Sequence, residues 1–404
     1  FLFSAIRKKI EYLKFKNKNA PEIIHHITEN VVGADVHPLA VIISRTNYLL
    51  ALKSLLPDRR GGDIRIPVYL CDTLRIPEAK VDIHSGMELY KIDANKRTFS
   101  LPALVVKNAQ LLDFLVDKMG DIGRKYEEKY NSDSRPQNMQ FRDNLEKGFE
   151  QGIKQFLANE QAIKIFSKNS SLLLDFIEED TNSIWAFIIK NIHKPIAMSK
   201  NKFDLIVGNP PWLAFRYIRD PSSQESFKKL IRKYDIYPEA KSVTQMDIAS
   251  LFFLRSADLY LKDNGSIFFV IPKSILMGDT HSPFRDKDHG IGISKIIDCE
   301  DVKPLFNIPS IAMLGIKGKS SQFPQKGIVC KGRLGRKNAD LKTASSELEF
   351  IETDFAFSRV GNRTFISEGK VGFNSKKRSY YYPFFFNGAC VYPRPYWFID
   401  TKTE

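Results

Sequence analysis

The sequence is poor in cysteine: Cys71, Cys299, Cys330 and Cys390 stand far apart, in no metal-type or disulfide-scaffold spacing. They read as free thiols in a reducing cytoplasm. No apolar run approaches the roughly 20 residues that a bilayer span needs, so no membrane partner is expected. Phe1-Leu2-Phe3 offers neither an initiator Met nor the basic-then-apolar order of a signal peptide, and the expectation is a chain that begins inside a longer protein. Internal repeats and sustained low-complexity tracts are absent, which excludes a solenoid or a mainly disordered chain.

Positive charge, by contrast, is abundant. Lys and Arg number 61 against 47 Asp and Glu, a net charge of +14 that suits a polyanionic partner. Hydrophobic residues at 43% and charged residues at 27% are ordinary for a globular protein. A chain of 404 residues can bury a large core and is expected to fold as two or three units.

The chain is organised around Lys202-Phe203-Asp204-Leu205-Ile206-Val207-Gly208-Asn209-Pro210-Pro211-Trp212. Phe203 to Val207 reads as a short strand buried on both faces, stopped at once by Gly and Pro. Pro210 and Pro211 fix φ and remove N–H donors, which holds the Asn209 amide and the Pro210 carbonyl at the carboxyl end of a strand. Open α/β sheets bind ligands at that edge. Two fixed acceptors there can take both hydrogens of an exocyclic amine and favour a pyramidal nitrogen, with no general base. Trp212 supplies a face for a planar base swung out of its stack. The plain alternative is a strand, a proline turn and a surface Trp.

Asn209-Pro210-Pro211-Trp212 resembles the catalytic motif of S-adenosylmethionine-dependent amino-methyltransferases, most closely the adenine-N6 DNA methyltransferases of restriction-modification systems. Among these, fused type IIG restriction-methylation enzymes and phage-defence methylases are most similar. The resemblance implies an α/β, Rossmann-like class I methyltransferase core with a mainly helical insertion and the start of a C-terminal DNA-recognition region. It implies S-adenosyl-L-methionine as cofactor, and double-stranded DNA and restriction or defence subunits as partners.

Residues 1–79 are expected to form the cofactor-binding part. Leu2, Phe3, Ile6, Ile10 and Leu13 mark an amphipathic helix; in the resembled family a glycine-rich loop precedes it, and no such loop is present. Val31 to Val36 reads as a strand ended by Asp35, and Pro38 opens a helix with Leu39, Ile42, Ile43, Leu49, Leu50 and Leu52 inward. Ile66 to Cys71 forms a second strand, followed by Asp72. By resemblance Asp35 binds the cofactor's ribose and Asp72 its adenine amine; alone, each is equally a turn residue. Pro57-Asp58 with Glu78-Ala79-Lys80 fits a loose nuclease pattern that Glu239-Ala240-Lys241 shows to arise cheaply.

Residues 80–200 form the expected insertion, with helices near 103–119, 138–168 and 171–192 and an exposed connection over Gly120 to Gln137. Residues 201–333 are the expected catalytic part. After the loop, Arg216, Tyr217, Arg219, Lys228, Lys229, Arg232, Lys233 and Tyr234 mix cations with rings, as phosphate contact or a solvated surface would. Asp247 to Leu261 reads as a helix ended by Gly265 and followed by a strand, Ile267 to Ile271. Further strands at Ile296 to Asp298, Ile311 to Ile316 and Ile328 to Lys331 are expected to be antiparallel. By resemblance Phe253 packs on the cofactor's adenine and Phe306 on the target base; each is alternatively a core Phe. Asp279, His281, Asp286, Asp288 and His289 invite a metal reading that turn chemistry explains better, and no metal site is assigned.

Residues 334–404 lose the α/β rhythm, and Lys376, Lys377 and Arg378 adjoin Tyr380 to Phe386, a mixture suited to nucleic acid. Asn387 to Arg394 resembles the entry to a target-recognition region. Two rival readings stay open: transfer to rRNA guanine, cytosine N4 or glutamine, and a catalytically silent DNA-holding module of a defence complex.

Overall fold

The computed structural model describes residues 1–56, 64–74, 76, 79–83, 85–94, 97–130, 135–179, 194–238, 245–320, 322–336 and 341–369. Helix α1 (Leu2–Phe15) turns Ile6, Ile10 and Leu13 inward, as their spacing requires. Helix α2 (Ala20–Asn30) is started by a capping box between Asn19 and Glu22. Strand β1 (Gly33–Asp35) leads into α3 (Pro38–Leu52) and pairs in parallel with β2 (Val68–Leu70).

Helix α3 departs from expectation. Val41, Tyr48, Ala51 and Leu52 are buried, whereas Leu39, Ile42, Ile43, Leu49 and Leu50 are exposed. The helix is apolar on nearly every face, so periodicity does not select the inward one. Helix α1 packs along it, and the Tyr48 hydroxyl lies 2.9 Å from the Ile27 carbonyl and 3.1 Å from that of Val31; these contacts set the rotation.

A small antiparallel sheet of β3 (Ala79–Val81), β4 (Glu88–Ala94) and β5 (Arg97–Pro102) opens the next unit. It continues through α4 (Ala103–Val106), α5 (Ala109–Tyr130), α6 (Arg135–Lys154), α7 (Glu160–Glu178) and α8 (194–200). The connection expected from Gly120 is instead helical to Tyr130, because Ile122 and Tyr126 carry the stripe of α5 on into the core. The helix expected over 138–168 is interrupted, since Asn159 starts a new one by accepting the Ala162 N–H at 2.9 Å. These elements enclose an apolar cluster of their own, from Phe99 and Leu101 to Phe166 and Ile196.

The main sheet begins with β6 (Phe203–Gly208), followed by helices α9 (Pro221–Lys233) and α10 (Ala249–Tyr260) and strand β7 (Leu261–Pro272). Two short helices, α11 (Ser274–Met277) and α12 (Ser282–Asp286), precede β8 (Ile291–Lys303), β9 (Ser310–Lys317) and β10 (Lys326–Arg333). Helix α13 (Leu341–Glu347) then leads to the hairpin β11 (Leu348–Val360) and β12 (Arg363–Glu368). The sheet order is β12-β11-β10-β8-β9-β7-β6. Strand β6 runs parallel to β7, and β9 runs antiparallel to both β7 and β8. Strand β10 is parallel to β8, not antiparallel as its short connection suggests. The sheet also continues past residue 333 through β11 and β12.

Two local corrections bear on the site. Asp204, Leu205 and Val207 are exposed, because β6 is the end strand among the described residues and pairs only with β7. Helix α10 stops before Gly265: the Lys317 ammonium caps it, reaching the carbonyls of Ala257, Asp258 and Leu261 at 2.9, 3.1 and 3.0 Å. The face of the sheet under α10 holds the main core, including Leu254, Ile267, Ile271 and Met313. The architecture is the expected α/β class, a large mixed sheet with helices and a mainly helical insertion. No helix among the described residues is long and apolar enough to cross a membrane.

Candidate functional site

At the carboxyl end of β6 the chain leaves the sheet through Asn209. Pro210 is buried and anchors the loop, while Asn209 and Pro211 are exposed. Among the described residues neither the Asn209 carboxamide nor the Pro210 carbonyl has a hydrogen-bond partner, so both acceptors are unspent. Trp212 turns back over the neighbouring strand, its indole N–H donating to the Val270 carbonyl at 3.2 Å. Phe306, on the loop between β8 and β9, meets Trp212 edge to face, with centroids 4.7 Å apart and planes at 62°. The structure thus brings together Asn209, Pro210, Trp212 and Phe306 at one sheet edge.

The Phe306 loop is fastened by Lys273, which follows β7. The Lys273 N–H donates to the Pro309 carbonyl at 2.8 Å, and its ammonium pairs with Asp298, 1% exposed, and with Glu300 at 2.6 Å. Burial works against the ammonium, but its bonds to the two carboxylates outweigh that and push the Lys273 pKa up. Behind Trp212, the Phe215 N–H donates to the Met246 carbonyl at 2.8 Å and the Ile248 N–H to the Leu213 carbonyl at 3.1 Å. Asp247 sits in this pairing and accepts the Ala249 N–H at 2.7 Å; burial pushes its carboxyl up to about 6. Neither Lys273 nor Asp247 stands out in sequence, because their importance comes from partners on other strands and loops. The Pro directly before Lys273, closing an apolar strand, is the local sign that the lysine lies at the ligand edge.

Asp35 and Asp72 stand together at the ends of the parallel pair β1 and β2, joined by a 2.9 Å bond from the Cys71 N–H to the Asp35 carbonyl. Each carboxylate accepts the N–H two residues on, Asp35 from His37 at 2.7 Å and Asp72 from Leu74 at 3.0 Å. Asp35 is exposed beyond that turn. Two acceptor-only groups on adjacent strand ends suit a ligand that presents hydroxyl or amine donors.

Phe253 is placed otherwise than expected. It is fully buried, enclosed edge to face by Phe269 and Phe284 at 6.0 Å, and has no face open to a ligand. The acidic and histidine residues after β7 serve the fold: Asp279 pairs with Arg363 at 3.2 Å, Asp286 with Arg359, and His281 lies 3.2 Å from Ser250. Next to the candidate loop, Arg216 and Tyr217 are exposed, with the guanidinium 4.9 Å from the ring centroid. Pro57-Asp58, Glu78 and the cations and rings from Lys370 onward lie outside the described residues.

A family model described as Eco57I restriction-modification methylase matches residues 29–306. Matching solved structures include a nuclease-deletion mutant of the Type ISP restriction-modification enzyme LlaGI in complex with a DNA substrate mimic. It is 11% identical with a TM-score of 0.42, over 90% of this chain and 23% of that one. The ATP-dependent Type ISP restriction-modification enzyme LlaBIII bound to DNA is 12% identical with a TM-score of 0.38, over 86% of this chain and 18% of that one. The chain therefore spans about a fifth of the length of these two proteins. No curated protein matches.

Proposed function

The chain belongs to the Eco57I restriction-modification methylase family, and from that premise we propose that it serves the transfer of a methyl group from S-adenosylmethionine to the N6 amine of an adenine in double-stranded DNA. The observation that carries this reading is the pair of unspent acceptors, the Asn209 carboxamide oxygen and the Pro210 carbonyl, held at the carboxyl edge beside a fixed aromatic ring. An exocyclic amine is weakly nucleophilic because its lone pair is delocalised into the ring. Accepting both of its hydrogens favours a pyramidal nitrogen.

Trp212 offers the stacking face, and Pro211 stiffens the loop between it and the acceptors. A base stacked on both Trp212 and Phe306 needs ring faces roughly 7 Å apart, twice the ~3.4 Å spacing of stacked bases. At 4.7 Å between centroids, Phe306 must swing aside to admit it. The carboxylates of Asp35 and Asp72 fit the ribose hydroxyls and adenine amine of the cofactor, which when bound supplies an electrophilic methyl group. Exposed Arg216 and Tyr217 and the basic helix α9 would meet DNA phosphates. Restriction or defence subunits are the proposed protein partners.

The test is incubation of the protein with radiolabelled S-adenosylmethionine and unmodified bacterial DNA, then identification of the labelled nucleoside. Label in N6-methyladenine is expected, falling about a hundredfold or more in Asn209→Ala. Label in N4-methylcytosine, or in RNA or protein offered in parallel, would reassign the substrate. DNA binding without any transfer would leave a silent DNA-holding module.

A further inference from the structure

Helix α10 touches both halves of the candidate site. Its first turn is joined to the residues after Trp212 by the bonds between Leu213–Phe215 and Met246–Ile248. Its later turns hold the segment after β2: the Tyr260 hydroxyl donates to the Thr73 carbonyl at 2.6 Å, and Arg255 Nε donates to the Leu74 carbonyl at 3.3 Å. The Leu74 side chain, 2% exposed, lies in the same apolar cluster as Phe215 and Ile248. From Ile248 to Arg255 a helix rises only about 10 Å.

A guanidinium buried to 3% exposure is costly unless its donors are used. If packing were all, an apolar side chain would fill the place better. Arg255 instead spends its donors on two different segments, the Leu74 carbonyl and, at 3.2 Å, the hydroxyl of Tyr234, where α9 ends. Tyr234 in turn donates to Asp258 at 2.5 Å. Burial pushes the phenol pKa values of Tyr234 and Tyr260 up, so both hydroxyls remain donors. The Leu74 N–H that fixes the Asp72 carboxylate belongs to the residue whose carbonyl Arg255 holds.

We propose that Arg255 is a positioning residue: acting through Leu74, it sets the Asp72 carboxylate relative to the Asn209 loop and so tunes affinity for the adenosine portion of the cofactor. This rests on the reading of Asp72 given above. Arg255→Met, which loses a charge-assisted hydrogen bond, should raise amide exchange over Cys71 to Leu74 and weaken S-adenosylmethionine binding, each by about tenfold or more. Exchange in β8 and β9 should hold. Arg255→Lys, which keeps a charged donor, should restore part of both losses. Tyr260→Phe, which deletes only the bond to Thr73, should shift the same amides in the same direction and stands in if Arg255→Met does not fold.

Exchange rising uniformly through α10, β7 and β8 with no excess at Cys71 to Leu74 would overturn the proposal in favour of a purely structural arginine. Unchanged cofactor affinity with selective exchange would overturn it as well. If the unsubstituted protein binds no S-adenosylmethionine, the cofactor reading of Asp72 fails, and the exchange pattern still decides whether Arg255 positions the segment.

Discussion

Asp247 should weaken the fold at neutral pH, and replacing it by its own amide should strengthen it. Burial beside the Leu213–Phe215 pairing pushes the carboxyl up to about 6, against about 3.9 for an unfolded chain. Between those values the folded chain binds more protons than the unfolded one, so stability falls as pH rises from about 4 to about 6 and keeps its lower value above. Roughly two units at about 1.4 kcal/mol each give about 3 kcal/mol. The positive N-terminal end of α10 favours the carboxylate by about 0.3–1 kcal/mol, and partial exposure screens the rest, leaving about 2 kcal/mol. Asp247→Asn removes the charge and keeps an acceptor for the Ala249 N–H, now bonded at 2.7 Å.

The unsubstituted protein's pH profile alone would mislead. Burial pushes the His281 imidazole down to about 3, so its contribution to stability is lost as pH falls from about 6.5 towards 3, opposite to the trend from Asp247. The difference between the two proteins cancels that contribution. Urea unfolding should therefore find Asp247→Asn ahead of the unsubstituted protein by no more than about 0.5 kcal/mol at pH 4, and by about 2 kcal/mol at pH 8. A difference that is the same at both pH values, or a variant less stable at pH 8, would refute the reasoning.

Lys273→Met leaves the Asp298 carboxylate buried without its cation and should cost about 3–5 kcal/mol in urea unfolding, with Lys273→Arg far milder. Gly315→Ala places a methyl 2.7 Å from the Phe253 ring and 2.9 Å from an Ile291 methyl, and should lower stability by about 1–3 kcal/mol in thermal unfolding. Phe306→Ala should uncover Trp212, shifting tryptophan emission to the red and raising acrylamide quenching; unchanged spectra would mean that the two rings do not touch in solution. Asn209→Ala, at an exposed position with no partner among the described residues, should move stability by no more than about 0.5 kcal/mol, so that any loss of activity is a loss of chemistry.

The loop from Asn209 to Trp212 and most strands were legible in the sequence because their signals are local. An apolar run stopped by Gly208-Asn209-Pro210-Pro211 is a strand end whatever surrounds it, and β6 ends there. Periodicity likewise placed Ile6, Ile10 and Leu13 on the buried face of α1, although Leu2, at the start of the same stripe, is only half-buried and Phe3 is exposed. It failed on α3, where apolar residues occur all round and tertiary contacts alone select Val41, Tyr48, Ala51 and Leu52. It failed again on β6, since a strand's composition does not say whether a neighbour covers its outer face. Phe253 shows the limit of resemblance: an aromatic at a matching position can be turned wholly into the core.

What ties the site together was illegible for a different reason, sequence separation. Leu74 and Arg255 are 181 residues apart, Thr73 and Tyr260 187, and a whole inserted unit folds between them. No window of sequence contains both partners, and neither residue type is unusual where it stands. Yet an arginine at 3% exposure inside an apolar helix face is the one feature there that burial alone makes improbable. A buried cation in such a helix requires carbonyl or hydroxyl partners from another part of the chain. Searching for those partners leads directly to the segment that follows the second carboxylate.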